Sequence, residues 1–227
     1  MRSSSFAGRR VALMVTSAIA LASMLAVLAV SDAAASGRSS HPSTRALTPK
    51  ALAFHDDMRA LWEAHGSGTR MVIVSFVGNL PNLQAQEQTL LQNQVDIGNA
   101  VKPYYGRSAG NKLTKLLKEH ILGAVSVLVA AKSGDKNPLA QAEAAWSANG
   151  RQIADFLHAA NPHFLSRADA RRMMRVHLQQ VIEQAVDELT GNYAASANAF
   201  GPYIRHILDM ADMISGAIIR QFPSRFD

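Results

Sequence analysis

Apolar residues recur every three or four positions along most of this chain, a spacing typical of amphipathic helices. No long run alternates apolar and polar residues, as a half-buried strand would. Thr48 before Pro49 and Ser166 before Asp169 are typical helix starts, and Gly191 is a typical helix end. The pattern predicts helices with these approximate bounds: 48–80, 82–103, 108–132, 137–160, 166–191 and 193–221.

The turns between these long segments are short, which determines the predicted fold class. We expect an all-α protein, an up-and-down antiparallel helical bundle of about five to six helices in a single domain over residues 49–227. Pro103 is expected to end the second helix and Ser108 to cap the third. The sequence contains no internal repeat.

The first 48 residues do not continue this pattern. A basic start, an apolar run over residues 11–30 and the small residues of "SDAAAS" predict a signal peptide over residues 1–35, cleaved after Ala35. The run is also long enough to span a bilayer, so an uncleaved anchor is the alternative. Residues 36–48 are polar and predict a disordered tether. In both cases the domain is expected to be exported, with membrane contact only through an uncleaved N-terminal segment.

Composition and charge exclude several kinds of site and partner. The chain has no cysteine, which excludes disulfides, thiolate metal sites and cysteine nucleophiles. The formal net charge is +6, but the basic residues are scattered and lack interleaved aromatic residues, so nucleic acid is not expected as a partner. The densest basic stretch, "RADARRMMR" (167–175), is either a solvated first turn of a helix or a patch for an anionic partner.

Histidine supplies the candidate chemistry, because four predicted helices each turn one imidazole toward the interior or its edge. These residues are His65, His120, His177 and His206. A buried neutral imidazole has a donor and an acceptor to satisfy, at a cost of about 1–3 kcal/mol if they are unmet. Four rings on different helices can hydrogen-bond to each other, bind a metal ion or relay protons.

Two carboxylates are placed to complete a metal site with these histidines. Asp209 follows His206 by three residues and shares its helix face, and Asp212 borders the same stripe one turn further. Nitrogen and oxygen ligands without thiolate suit Zn, Fe or Cu. The chain lacks the Glu-x-x-His pairs of di-iron bundles, H-E-x-x-H, a Gly-rich phosphate loop and G-x-S-x-G. No catalytic residue is therefore assigned.

Two further polar features have two interpretations each. Asn149 lies on the apolar stripe of its helix, where it either fixes the helix register through a buried hydrogen bond or joins the polar centre. The segment "QNQVDIGNAVKPYYG" (92–106) places Tyr104 and Tyr105 beside a helix break. These tyrosines either cap the helix and form the turn at this break, or form a lid over the end of the bundle.

Several motifs resemble a family of small bacterial helical proteins, mostly exported or uncharacterised, without an established activity. They are "LWEAH", "NQVDIGNAVKPYYG", "LLKEHI" and "HILDMADM", and the resemblance extends from Leu61 to Phe222. It implies that the four histidines belong to the family's pattern, and it supplies no chemistry. Some relatives carry transferase-like names, but no nucleotide or sugar-donor site is visible here.

This chain departs from that family pattern within the first predicted helix. Gly66 and Gly68 stand where the relatives have bulkier residues. Each glycine costs a helix interior about 1 kcal/mol relative to alanine. The sequence therefore predicts that helix 1 is either looser around His65 or broken.

The sequence is compatible with three functions. The first is a non-enzymatic interaction or structural module of the cell envelope, with an unknown partner and histidines that hydrogen-bond within the core. The second is a metal-binding bundle that holds Zn, Fe or Cu with the four histidines and Asp209 or Asp212. The third is a transferase or hydrolase without a recognisable motif. Convergence of the four imidazoles on one point is expected only for the second.

Overall fold

The computed structural model describes residues 47–227, whose regular secondary structure is entirely helical. The predicted signal peptide and the predicted tether up to residue 46 lie outside the described residues. The helices are α1 (Pro49–Val77), α2 (Leu83–Ser133), α3 (Lys136–Ala160), α4 (Arg167–Leu189) and α5 (Tyr193–Gln221), followed by a 3-10 turn, Pro223–Arg225. The predicted all-α bundle is confirmed.

Side chains at the helix starts explain most of these bounds. Thr48 accepts a hydrogen bond from the backbone N–H of Ala51 at 3.2 Å, and Ser166 accepts one from that of Asp169 at 3.0 Å. Each bond satisfies an N–H group that has no partner within its helix. The two predicted N-caps are therefore confirmed. Gly191 follows α4 with a positive φ of 74°, in the left-handed region that favours glycine.

The long helix α2 reverses direction at Gly106, where φ is 83° and ψ is 167°. Its two arms, residues 83–105 and 107–133, lie side by side as an antiparallel hairpin, so the bundle has six helical arms. The prediction that Pro103 ends one helix and Ser108 caps the next is wrong. Proline only removes one hydrogen-bond donor, whereas the reversal needs a positive φ that glycine provides at little cost.

The hairpin arms meet at two facing glycines. A Cβ atom built on Gly98 would lie 2.8 Å from the carbonyl oxygen of Gly110 and 1.9 Å from Oγ1 of Thr114. A Cβ atom on Gly110 would lie 2.6 Å from the carbonyl oxygen of Gly98. The absence of both side chains is therefore what allows the backbones to approach each other so closely.

We expect Gly98→Ala to destabilise the protein by about 1–3 kcal/mol, because the new methyl group overlaps backbone atoms that cannot move independently. Gly216→Ala is the matched control, since a Cβ atom on Gly216 in α5 would meet nothing within 4 Å. That change should be neutral or stabilise by up to about 1 kcal/mol. Urea unfolding of both variants measures the difference, and equal stabilities would contradict the tight contact.

The helices close into a ring, with α1 packed on α2 and α5, α2 on α3, α3 on α4, and α4 on α5. α1 is continuous through Gly66 and Gly68, so of the two alternatives for this helix the break is wrong. Both glycines admit a neighbouring helix: a Cβ atom on Gly66 would lie 2.8 Å from Ile204, and one on Gly68 would lie 3.1 Å from Leu90. α1 is therefore closely packed around His65. Within the described residues, no helix is long and apolar enough to cross a membrane.

Candidate functional site: a buried histidine cluster

Three of the four candidate histidines meet in the centre of the bundle. His65 on α1, His120 on the second arm of α2 and His177 on α4 are each no more than 2% exposed. The centroid of the His177 ring lies 5.8 Å from that of His65 and 5.5 Å from that of His120. We call these three residues the histidine cluster. Its burial follows from the apolar stripes on which the three residues lie.

Two side-chain amides fix the rings of His65 and His120. His65 Nδ1 lies 3.2 Å from Oε1 of Gln94, and His120 Nδ1 lies 2.9 Å from Oδ1 of Asn149. Each amide NH2 group donates to a backbone carbonyl of α2, at 2.7 Å and 3.1 Å, so the amide oxygen is the atom that faces the imidazole. Each Nδ1 therefore carries the proton and donates, which leaves Nε2 as an acceptor.

Aromatic side chains enclose the cluster. The Trp62 ring approaches His65 edge-on with centroids 5.5 Å apart, and the Trp146 ring stacks on His120 at 5.1 Å. Trp146 also donates its indole N–H to the backbone carbonyl of His120 at 2.9 Å. Tyr203 of α5 is fully buried, and its ring stacks on His177 at 5.8 Å. The surroundings of the imidazoles are thus largely apolar and contain little to stabilise a positive charge.

Burial keeps the cluster neutral at physiological pH. It lowers the pKa of His65 to about 3, with a further decrease from His120 that the Gln94 hydrogen bond partly opposes. Burial lowers the pKa of His120 to about 4, against the opposing hydrogen bond to Asn149. For His177, burial and the three neighbouring histidines together hold the pKa well below its usual range. Each ring disfavours charge on the others, so the cluster titrates as a coupled group.

Six buried side-chain polar atoms have no hydrogen-bond partner among the described residues. His120 Nε2 and His177 Nδ1 are two of them, and the Tyr203 hydroxyl is a third. The other three are Trp62 Nε1, Gln180 Oε1 and Gln184 Oε1. An unmet buried donor or acceptor costs about 1–3 kcal/mol, so each of these atoms favours any group that can hydrogen-bond to it.

The remaining candidate ligands lie outside the histidine cluster, although His206 is close enough to His177 to lower its pKa. His206 is half-buried and its Nε2 lies 3.1 Å from the carbonyl oxygen of Met173, while Asp209 lines an open surface groove beside it. Burial lowers the pKa of His206, and the Met173 carbonyl and Asp209 oppose that effect. Asp212 accepts two hydrogen bonds of 2.6 Å from Arg59 and lies 3.1 Å from His55. Asp212 is thus part of a surface ion pair and does not join the histidine cluster.

The cluster does not form a ready-made metal site. Within residues 47–227, no three His, Asp or Glu side chains are arranged to hold a metal ion. A shared ion would need ligand atoms about 2.0–2.1 Å from one point. Hydrogen bonding and stacking instead hold His65 and His120 in orientations set by Gln94, Asn149 and Trp146. Convergence of all four imidazoles on one point is not observed.

Sequence reasoning missed Gln94 and a buried ion pair. Gln94 is fully buried and follows Leu90 by one helical turn. Its position on the apolar stripe could have indicated a buried polar residue, as the position of Asn149 did. Asn149 itself donates to the Leu116 carbonyl of α2 and accepts from the ring of His120, so its contacts agree with both of its predicted roles.

The ion pair joins Nη2 of Arg70 to Oε1 of Glu188 at 2.9 Å. The same carboxylate accepts a hydrogen bond of 2.7 Å from Ser196, so the contact connects α1, α4 and α5. No local sequence signal pairs these residues, because they lie far apart in the chain.

Comparison with protein-family models, with curated proteins and with solved structures finds no match for this chain. The family resemblance based on the sequence motifs therefore stays a prediction, and the interpretation of the site depends on its geometry alone.

Proposed function

We propose that the chain is a non-enzymatic helical bundle that is exported by its N-terminal segment and serves as an interaction or structural module of the cell envelope. In this proposal the histidine cluster organises the core, and partners bind at the outer surface. The observation that supports it is the arrangement of His65 and His120: each is neutral, held by an amide and packed against a tryptophan.

The carboxylates support the same interpretation. Within the described residues, none of the hydrogen bonds of the histidine cluster is made to an Asp or Glu side chain. Asp212 is paired with Arg59, and the buried Glu188 is paired with Arg70. A general acid or base next to the cluster would need such a group, or an imidazole with a pKa near neutrality.

We expect the full-length protein, purified without a His-tag or chelator, to contain no stoichiometric metal and to take up none when Zn²⁺, Fe²⁺ or Cu²⁺ is added. Elemental analysis after dialysis measures this. His120→Gln should lower thermal stability and leave the metal content unchanged. Near-stoichiometric metal that is lost in the double variant H120Q/H177Q would overturn the proposal.

One observation favours metal binding as the second candidate. His120 Nε2 and His177 Nδ1 lack partners, and they belong to rings whose centroids are only 5.5 Å apart. Hydrogen-bonded Nδ1 with a free Nε2, as in His120, is a common arrangement of metal-binding histidines. Zn, Fe or Cu would suit these nitrogens. The elemental analysis above distinguishes the two candidates. A transferase or hydrolase activity has no comparable support.

A further inference from the structure

The two ends of the bundle carry opposite charge. The end where residue 46 joins Leu47 comprises residues 47–54, 100–112, 155–172 and 216–227, and we call it the tether end. It carries nine basic and three acidic side chains, a formal net charge of +6. The far end, residues 70–88, 128–141 and 184–198, carries three basic and four acidic side chains, a net charge of −1. No single stretch of the sequence shows this asymmetry, because four separate segments form the tether end and three form the far end.

Close contacts among these segments establish the tether end as one surface. Tyr105 donates to Gln221 at 2.7 Å and accepts from Asn161 at 3.1 Å, which connects α2, α3 and α5. The Tyr104 ring stacks on Phe226 with centroids 5.2 Å apart. The two tyrosines of the predicted turn or lid thus seal this end of the core and hold the basic segments together.

Most of the positive charge at the tether end is not neutralised locally. Among the described residues, no carboxylate lies within ion-pair distance of five of its basic side chains: Lys102, Arg107, Lys112, Arg220 and Arg225. Lys112 and Arg220 lie over the rings of Phe156 and Phe164, which leaves their charge without a counterion. The charge of all five can therefore attract a negatively charged partner.

Exposed apolar side chains accompany this charge. Leu47 is 47% exposed, Leu52 is 49% exposed and Phe164 is 41% exposed. The guanidinium carbon of Arg220 lies 5.4 Å from the centroid of the Phe164 ring, which places a cation next to an exposed aromatic group. Positive charge with interspersed large apolar groups suits the boundary between lipid headgroups and acyl chains.

The chain outside the described residues enters the bundle at this same end. Sixteen residues, 31–46, separate the apolar run of residues 11–30 from Leu47. The backbone of sixteen residues can span at most about 53–58 Å. If the run is retained as an anchor, the tether end is the part of the bundle that reaches the bilayer first.

We propose that the tether end docks on an anionic lipid surface, with Arg107 and Arg225 facing the headgroups and Leu52 and Phe164 at the acyl boundary. This inference rests on the proposed function and identifies the partner of that module. A basic residue near an anionic membrane surface contributes about 1 kcal/mol of attraction, and salt screens the effect. The negative far end is repelled, so charge also orients the bundle.

The test uses the full-length protein reconstituted in vesicles of phosphatidylcholine alone or with phosphatidylglycerol. Because the chain has no cysteine, single donor dyes can be placed at Ser224→Cys on the tether end or Asn137→Cys on the far end. Energy transfer to an acceptor lipid should be higher in the anionic vesicles only for the label at position 224. It should fall as salt is added. Equal transfer in both vesicle types would overturn the proposal.

Matched variants locate the interaction. Reversing Arg107 and Arg225 to Glu should lower the ratio of docked to undocked protein by at least about tenfold. Reversing Lys136 and Arg151 to Glu, the same charge change away from the tether end, should have little effect. Circular dichroism confirms that each variant is folded, and a second tether-end variant, Leu52→Ser, should also weaken docking.

The outcomes separate the lipid proposal from its alternatives. The full chain could instead bind soluble polyphosphate more tightly than it binds the anionic vesicles, and Leu52→Ser could leave that binding unchanged. That result would overturn the lipid proposal in favour of a polyanionic polymer as partner. A protein that contains stoichiometric metal and still docks would contradict only the proposal that the histidine cluster serves to organise the core. A metal-free protein that fails to dock would contradict only the lipid partner.

Discussion

Acidification from pH 7.5 to pH 5.5 should lower the free energy of unfolding by about 4 kcal/mol, a large part of the stability of a typical domain. Burial holds the pKa of His65 at about 3 and that of His120 at about 4, and it holds the pKa of His177 well below its usual range. In the unfolded chain each imidazole regains a pKa near 6.5. The unfolded state therefore binds up to three more protons than the folded state.

The direction of the effect follows from this difference in proton uptake. The stabilising contribution of the neutral cluster is fully present above pH 6.5 and is lost as the pH falls toward the folded-state pKa values. Each histidine contributes about 1.4 kcal/mol of the loss at pH 5.5. Exposed carboxylates such as Asp155, whose pKa is lowered mainly by its hydrogen bond to Arg171, act at lower pH and do not contribute in this range.

Urea unfolding followed by tryptophan fluorescence measures the effect directly, because the only two tryptophans pack on His65 and His120. His177→Leu should reduce the pH dependence between pH 7.5 and 5.5 by about one third, whatever its effect on stability at pH 7.5. His163→Asn, in the exposed turn between α3 and α4, is the control and should leave the dependence unchanged. A wild-type stability that is the same at both pH values would contradict the buried neutral cluster.

Arg70→Met should destabilise the protein by about 3–5 kcal/mol, because it leaves the Glu188 carboxylate buried without its cation. The side chain of Glu188 is only 7% exposed, and Ser196 alone would remain as its hydrogen-bond partner. Replacing both charges, in R70M/E188L, should recover most of the loss, since a buried ion pair can be exchanged for apolar packing at little net cost.

The surface pair of Arg172 and Asp169 provides the control for this experiment. Its nitrogen and oxygen atoms are 2.7 Å apart, but the side chains are 69% and 50% exposed. Arg172→Met should therefore cost less than about 1 kcal/mol. Thermal unfolding of the three variants beside the wild type separates the two environments. A similar small loss for Arg70→Met would show that the Arg70–Glu188 contact is screened by solvent.

The sequence by itself determined the helices, two of their N-caps and the inward direction of three histidines. These features depend on local physics: a Thr or Ser side chain caps the helix that follows it, and a residue on an apolar stripe is carried into the core with its neighbours. Thr48, Ser166 and the stripes around His65, His120 and His177 are all read correctly for this reason.

Only the tertiary structure decided how far each residue lies along the bundle axis and which residues meet there. Helical periodicity assigns a face but not a depth, so it could not separate His206 from the cluster, direct Asp212 to Arg59 or bring Arg70 to Glu188. The reversal at Gly106 and the contact of Gly98 with Gly110 depend on backbone approach between arms, which no single helix encodes. The charge of each end likewise arises only when turns distant in sequence are brought together.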